Sequence, residues 1–424
     1  MNYKYNNLSH GYTGKIYKNS TRNSQYYSLF LDLLSKLPDS INHVIAFPQR
    51  IPRKDFFKEL YELESKEFRK NFDSMINIFI NNHINSLENL ICDNSENNAR
   101  EYINWSNILL RYGKFESIIK YFPINYCGPN HLEIKLIKET AKIELLLSNN
   151  ISIRIDDLLE LVDQFYNNIT ISNIEKIKIL NQLIVYSYRH KIDHASKKIF
   201  NLSKYLLSYV EILEKKTFIN IYQCSIAYRG IAMVLGFSNE TRASFLNESL
   251  NLARYLQPKC ELERMVSLDN LFTCTQSLAK WSLENNQLKL AEENLLQLIK
   301  IDPYDSTGFS ELGFFYIKNE MYDKAAHYFK VALELGPPGT GMNIYYYALC
   351  LEKLGNKNKA LNFLYLATEI DKLAISPWLE ILNYYLNDES YEKARKIAVN
   401  IYNDENLMEQ LEHDEILFIK NIIN

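Results

Sequence analysis

Gly336-Pro337-Pro338-Gly339-Thr340-Gly341 is the stretch whose composition comes nearest to chemistry. Glycines at that density let backbone N–H groups close round a phosphate, provided a Lys and then a Ser or Thr follow to meet the phosphates and Mg²⁺. Met342 and Asn343 follow instead. Such a loop should also leave a strand, whereas 325–335 has helical spacing. Gly336 and Pro337 therefore read as a helix stop, and the rest as a span to the next helix that adds one residue to a periodic pattern. Nucleotide binding is not expected.

The metal and nucleophile patterns are equally incomplete. His190 and His194 stand four apart, the spacing of two ligands on one helical turn. Lys191-Ile192-Asp193 between them reads as a turn, and no third ligand is spaced nearby. His131-Leu132-Glu133 after Cys127 offers the H-x-E of zinc sites that activate water, but the P-C-x-x-C that completes them is missing. Asp156-Asp157 and Glu292-Glu293 read as solvated helix faces, and no G-x-S-x-G or H-E-x-x-H occurs. Arg50, Arg53 and Lys54 form a basic loop around Pro52, either solvated or an anion site at the start of the helix that follows. No catalytic residue, cofactor or metal ligand is assigned, and a further reading is an enzyme or enzyme subunit with a site involving residues 1–130.

The composition narrows the classes. At 424 residues the chain can bury a large core, as a few domains or one long repeat array. Only 12 Gly and 10 Pro fit long helices with short connections. A net charge of −3 argues against nucleic acid as the general partner, because phosphate neutralisation favours a basic surface. The 6 cysteines show no paired spacing, which points to reduced, mostly buried thiols and a cytoplasmic setting. No apolar run approaches a membrane span, and no signal-peptide core follows the first residues.

The elements that position side chains are clearest in 306–339. Phe309, Leu312, Gly313 and Tyr316 fall where one helix would bury them, and Ala325, Phe329 and Ala332 do so for a second. Small residues recur at Ala279, Gly313 and Ala348, with Leu382 fourth. A second series runs Ala291, Ala325, Ala360 and Ala394; both step by 34, 35 and 34 residues. Close helix approach needs a small side chain at each crossing. Large partners recur at Phe309, Ile344 and Trp378, and at Leu295, Phe329 and Leu364. The pattern resembles the tetratricopeptide repeat (TPR), with its aromatic-x2-L-G-x2-Y…A-x3-F…P frame.

In chain order, residues 1–27 are polar and Tyr-rich, with Lys4, Lys15, Lys18 and Arg22 and no acidic residue. A helix over 28–37 and a short strand over 43–47 follow. A long helix or broken pair covers 55–91, and a degenerate hairpin 99–122. Helix pairs then run 132–147 with 155–166, 174–188 with 195–213, and 218–235 with 241–256. The expected fold is all-α: a helix-hairpin solenoid, a TPR-like superhelix behind an irregular N-terminal helical region, and the resemblance implies a right-handed one. The expected divisions are 1–50, polar arm and short elements; 51–271, degenerate hairpins; 272–408, four TPR-like repeats; and 409–424, a capping helix.

The resemblance implies a ligand face. TPR proteins bind along the concave side lined by the first helix of each repeat. Here that side would carry Gln276 and Lys280, then Ser310, Phe314 and Ile317, then Tyr345, Leu349 and Glu352, then Leu379, Asn383 and Leu386. The family's cationic clamp for chaperone tails is not reproduced, since Phe314, Tyr345 and Leu349 are apolar or aromatic where the clamp is polar. The implied function is a non-enzymatic scaffold or adaptor that takes a protein or peptide. A peptide-sensing regulator of the bacterial TPR type is the second reading, and no helix-turn-helix supports direct DNA binding.

Overall fold

The computed structural model describes residues 98–99, 102–103, 106, 115–122, 127–128, 131–148, 173–189, 196–259, 261–303, 305–335, 340–371 and 374–424. Outside the described residues lie the polar segment 1–27, the helix at 28–37, the strand at 43–47 and the Arg50–Lys54 loop. So do the helices at 55–91 and 155–166, most of the 99–122 hairpin, His190, His194 and residues 336–339. Every regular element among the described residues is a helix. They divide into two compact units between Asp302 and Pro303.

The first unit contains α1 (Phe115–Lys120), α2 (His131–Ser148), α3 (Asn173–Arg189), α4 (Lys197–Ile212), α5 (Phe218–Ile231), α6 (Asn239–Tyr255), α7 (Glu261–Glu284) and α8 (Leu288–Ile301). Consecutive helices pack as hairpins, α3 with α4, α5 with α6 and α7 with α8, and each hairpin leans on the next. Polar starts set the boundaries. Ser196, Thr217 and Ser238 accept from the backbone N–H of Ile199, Asn220 and Thr241, satisfying donors that a helix start leaves open. Helix α7 runs through Phe272, where the repeat frame begins, and starts at Glu261. No Gly or Pro interrupts 261–284, so nothing stops the helix at the repeat boundary.

The core of this unit is partly polar. Ser225 Oγ donates to the Ser249 carbonyl at 2.8 Å, and Ser249 Oγ returns the bond to the Ser225 carbonyl at 2.7 Å. Asn270 Nδ2 donates to Ser225 Oγ at 2.8 Å, and Cys274 Sγ lies 3.0 Å from Ser249 Oγ. All four side chains are buried, one or more on each of α5, α6 and α7. A satisfied network of this kind fixes the sliding position of three helices, because displacement leaves buried donors unpaired.

The second unit contains α9 (Ser306–Lys318), α10 (Tyr322–Leu335), α11 (Thr340–Lys353), α12 (Lys357–Ile370), α13 (Ile375–Asn387), α14 (Tyr391–Tyr402), α15 (Glu405–Met408) and α16 (His413–Ile423). The hairpins α9–α10, α11–α12 and α13–α14 stack in chain order, α10 on α11 and α12 on α13. The small-residue series is buried at each crossing here, and so are Phe329, Ile344 and Leu364. At Gly313 a Cβ would stand 2.6 Å from the Phe329 ring, so only glycine admits this approach. Connection 336–339 is as long as 371–374, and the extra residue of the 35-residue step falls instead in α11, with 14 residues against 13 in α9. Helix α16 packs on α14 through buried Ile419 and opens on a Glu412–Glu415 capping box. The short α15, capped by Asp404, is an element that the apolar pattern does not separate.

One backbone feature repeats with the same period. Asn286 (φ 56°), Glu320 (φ 58°), Gly355 (φ 80°) and Glu389 (φ 53°) take the left-handed conformation between the two helices of successive hairpins. Each time, the next residue's N–H reaches the carbonyl five back: Gln287 to Ser282 at 2.8 Å, Met321 to Tyr316 at 2.9 Å, Asn356 to Leu351 at 2.8 Å and Ser390 to Tyr385 at 2.9 Å. This is the Schellman closure of a helix end, which satisfies carbonyls the helix leaves open.

Candidate functional site: the first-helix face of the second unit

Helices α9, α11 and α13 are the first members of their hairpins. Their mutual placement is pinned by side chains. Ser310 Oγ on α9 lies 2.6 Å from Asn343 Oδ1 on α11, and the Tyr345 hydroxyl on α11 points to Glu380 Oε1 on α13 at 3.5 Å. Phe314 adds an aromatic joint, meeting Phe329 edge-on at 5.1 Å and Tyr346 at 4.7 Å between ring centroids. Tyr365 and Tyr385 bring their hydroxyls within 3.1 Å to join α12 to α13.

These joints decide the fate of the expected ligand residues. Phe314 and Tyr345 are each only 4% exposed. Both fill the space between neighbouring hairpins rather than forming an open apolar patch. Ile317 on α9, Leu349 on α11 and Asn383 on α13 remain half-buried, as does Leu386. Lys280 is half-buried on α7 of the first unit. The spacing placed these residues on helices, and the structure has Phe314, Ile317, Tyr345, Leu349 and Asn383 on α9, α11 and α13. It could not show that rings as long as Phe and Tyr reach across to the next hairpin.

The electrostatics of this face are acidic. Glu311, Glu352 and Glu380 are half-buried, one on each first helix, while Lys318 and Lys353 stand exposed in the last turns of α9 and α11. Burial pushes the Glu380 carboxyl up to about 6, with repulsion from Glu352 adding to it. The Tyr345 hydrogen bond and the Lys353 charge act in the opposite direction. Glu311 and Glu380 were legible only as polar interruptions of an apolar helix.

The chemistry available elsewhere among the described residues is limited. Burial raises the Cys224 thiol to about 11 and the Cys350 thiol to about 12, so both stay protonated and inert. Cys274 is also buried, whereas Cys127 is exposed. Among the described residues, no three His, Cys, Asp or Glu side chains gather where a metal ion could sit. Also among them, no helix is long and apolar enough to cross a membrane. Where a phosphate loop needs its lysine, Met342 is a half-buried helix residue; the next, Asn343, is fully buried against Ser310.

The geometry defines the class as an all-α stack of helical hairpins with a TPR-like fold. No family model matches the chain and no curated protein matches its sequence. Solved structures do resemble it. One is YrrB, a TPR protein with an unusual peptide-binding site, at 18% identity over 46% of this chain and 92% of that one, TM-score 0.33. The apo form of RapI is 12% identical over 81% of this chain and 96% of that one, TM-score 0.44. Bacillus thuringiensis PlcR, in complex with the peptide PapR7 and DNA, is 16% identical over 66% of this chain and 97% of that one, TM-score 0.33.

Proposed function

We propose that this protein is a binding scaffold whose C-terminal repeats take a protein or peptide segment along the first-helix face of α9, α11 and α13. One observation carries the reading: Ile317, Leu349 and Leu386 lie half-buried on three successive first helices, with a carboxylate on each. A row of apolar side chains interrupted by fixed charges suits a ligand with matching apolar and cationic groups. In this reading the binding region is the face of α9, α11 and α13, with Asn383 at one limit.

The test is a peptide array probed with the intact chain, followed by calorimetry on any sequence retained. Leu349→Glu places an unpaired charge on the face without touching the aromatic joints. It is expected to weaken binding by about 2 kcal/mol or more while the melt stays cooperative. A variant that binds like the parent would remove the face from consideration. Phe314→Ala and Tyr345→Ala are unsuitable probes, since each also opens a cavity between hairpins.

A further inference from the structure

The kind of partner that suits the first-helix face can be read from its charge. Residues 303–424 hold 11 Lys and Arg against 18 Asp and Glu, a net charge of −7 in a chain whose total is −3. Whole-chain composition hides this excess. Part of it lies on the face itself. Glu352 on α11 and Glu380 on α13 are half-buried beside the apolar row of Ile317, Leu349 and Leu386. They are close enough to repel each other, and burial together with that repulsion makes Glu380 hold its proton more tightly than usual. The protein offers little in return. Tyr345 donates one long hydrogen bond to Glu380 at 3.5 Å, and Lys353 eases the repulsion from an exposed position. Among the described residues, neither carboxylate makes an ion pair. Two like charges partly withdrawn from water without a cation cost stability, and a cation brought by a ligand recovers it. Lysine and arginine carry their charge on an aliphatic stem, so one side chain can cover an apolar residue and still reach a carboxylate beyond it.

We propose that the segment taken by this face is basic: a Lys or Arg side chain of the partner lies along Leu349 and places its cation between Glu352 and Glu380, while apolar residues of the same segment meet Ile317 and Leu386. The proposal rests on reading the face as a ligand surface, and it names what that surface selects. Segments with Asp or Glu at that position are rejected, because they add a third negative charge to the pair.

The test selects displayed random dodecapeptides on the immobilised intact chain at low salt, where charge selection is screened least. Retained sequences should be enriched in Lys or Arg between apolar residues and depleted of Asp and Glu. Remaking a retained peptide with norleucine for its basic residue keeps the stem and removes the charge, and should weaken binding by about tenfold or more. On Glu352→Gln with Glu380→Gln the same replacement should cost about twofold or less, because the coupling partner is gone. Glu352→Gln alone should give an intermediate loss. A retained set without basic enrichment, or a norleucine loss as large on the double variant as on the parent, overturns the proposal. Leu349→Glu separates the selection from the wider reading. Apolar peptides whose binding it abolishes, with no preference for a basic residue, leave the face standing and remove the selection. No retained peptide, or binding indifferent to Leu349→Glu, removes the face and the selection together.

Discussion

At the scale of single residues, two positions carry the clearest consequences. Gly313 faces the Phe329 ring, which is fully buried and backed by Tyr346 at 5.5 Å between centroids. Gly313→Ala gains about 1 kcal/mol of helix propensity and meets an overpacking cost of about 1–3 kcal/mol because the ring has nowhere to retreat. A net loss is expected in urea titration. A variant as stable as its parent would mean that the crossing is looser than its geometry. Gly230 provides the control, since its added Cβ would meet the end of the Asn181 side chain, which can swing aside. Glu380 makes the second prediction. A carboxyl whose folded pKa lies above its unfolded value binds its proton more tightly in the folded chain, so its penalty is absent in acid and grows with pH. Stability should fall as pH rises from 4.5 to about 6, by on the order of 1 kcal/mol after solvent screening. Glu380→Gln should flatten that slope in melts taken across the window; an unchanged slope would assign it to other groups.

At the scale of elements, the sequence was most informative where a small residue recurs. Ala325, Ala360 and Ala394 could be placed on buried crossings because nothing larger fits there. The turns were not legible in the same way. Gly355 advertises a left-handed residue, while Asn286, Glu320 and Glu389 adopt it without a glycine. Asn tolerates that conformation, so a local rule misses only the two glutamate turns, which the closing hydrogen bonds and flanking packing hold in place. Their strain is measurable. Gly355→Ala meets no atom within 4 Å, so its cost is purely conformational and should be about 1 kcal/mol. Glu320→Gly should raise stability by a similar amount or somewhat less, since glycine also gains freedom in the unfolded chain. The two changes should move denaturation midpoints in opposite directions, and movement in the same direction would remove backbone strain as the cause.

At the scale of the whole molecule, periodicity gave the fold class while composition gave little about the partner. The proposed ligand face was legible only as a set of positions that fall on α9, α11 and α13. Which of those side chains stay accessible depends on reach between hairpins, a three-dimensional property that residue type does not encode. The buried Ser225–Ser249–Asn270–Cys274 network was hidden for the same reason, since its members lie up to 49 residues apart and each looks like an ordinary polar helix residue. The glycine-rich stretch was the opposite case, conspicuous in sequence yet lacking the lysine its chemistry requires. Calorimetry of the intact chain with ATP or GTP and Mg²⁺ should show no saturable heat. Micromolar binding lost on Gly339→Ala with Gly341→Ala would restore that stretch as a nucleotide site.

The links inside the hairpins, 285–287, 319–321, 354–356 and 388–390, have one length and one geometry. In genetic terms they set the step by which this chain can grow. A tandem duplication of 34 or 35 codons, begun at any point among these hairpins, recreates the same turn and the same small-residue crossing at its new junction. A duplication that is not a whole number of hairpins would instead break the register of turn and crossing at its new junction. The gene can thus lengthen by whole hairpins, extending the first-helix face by one strip each time, without any existing contact having to be redesigned.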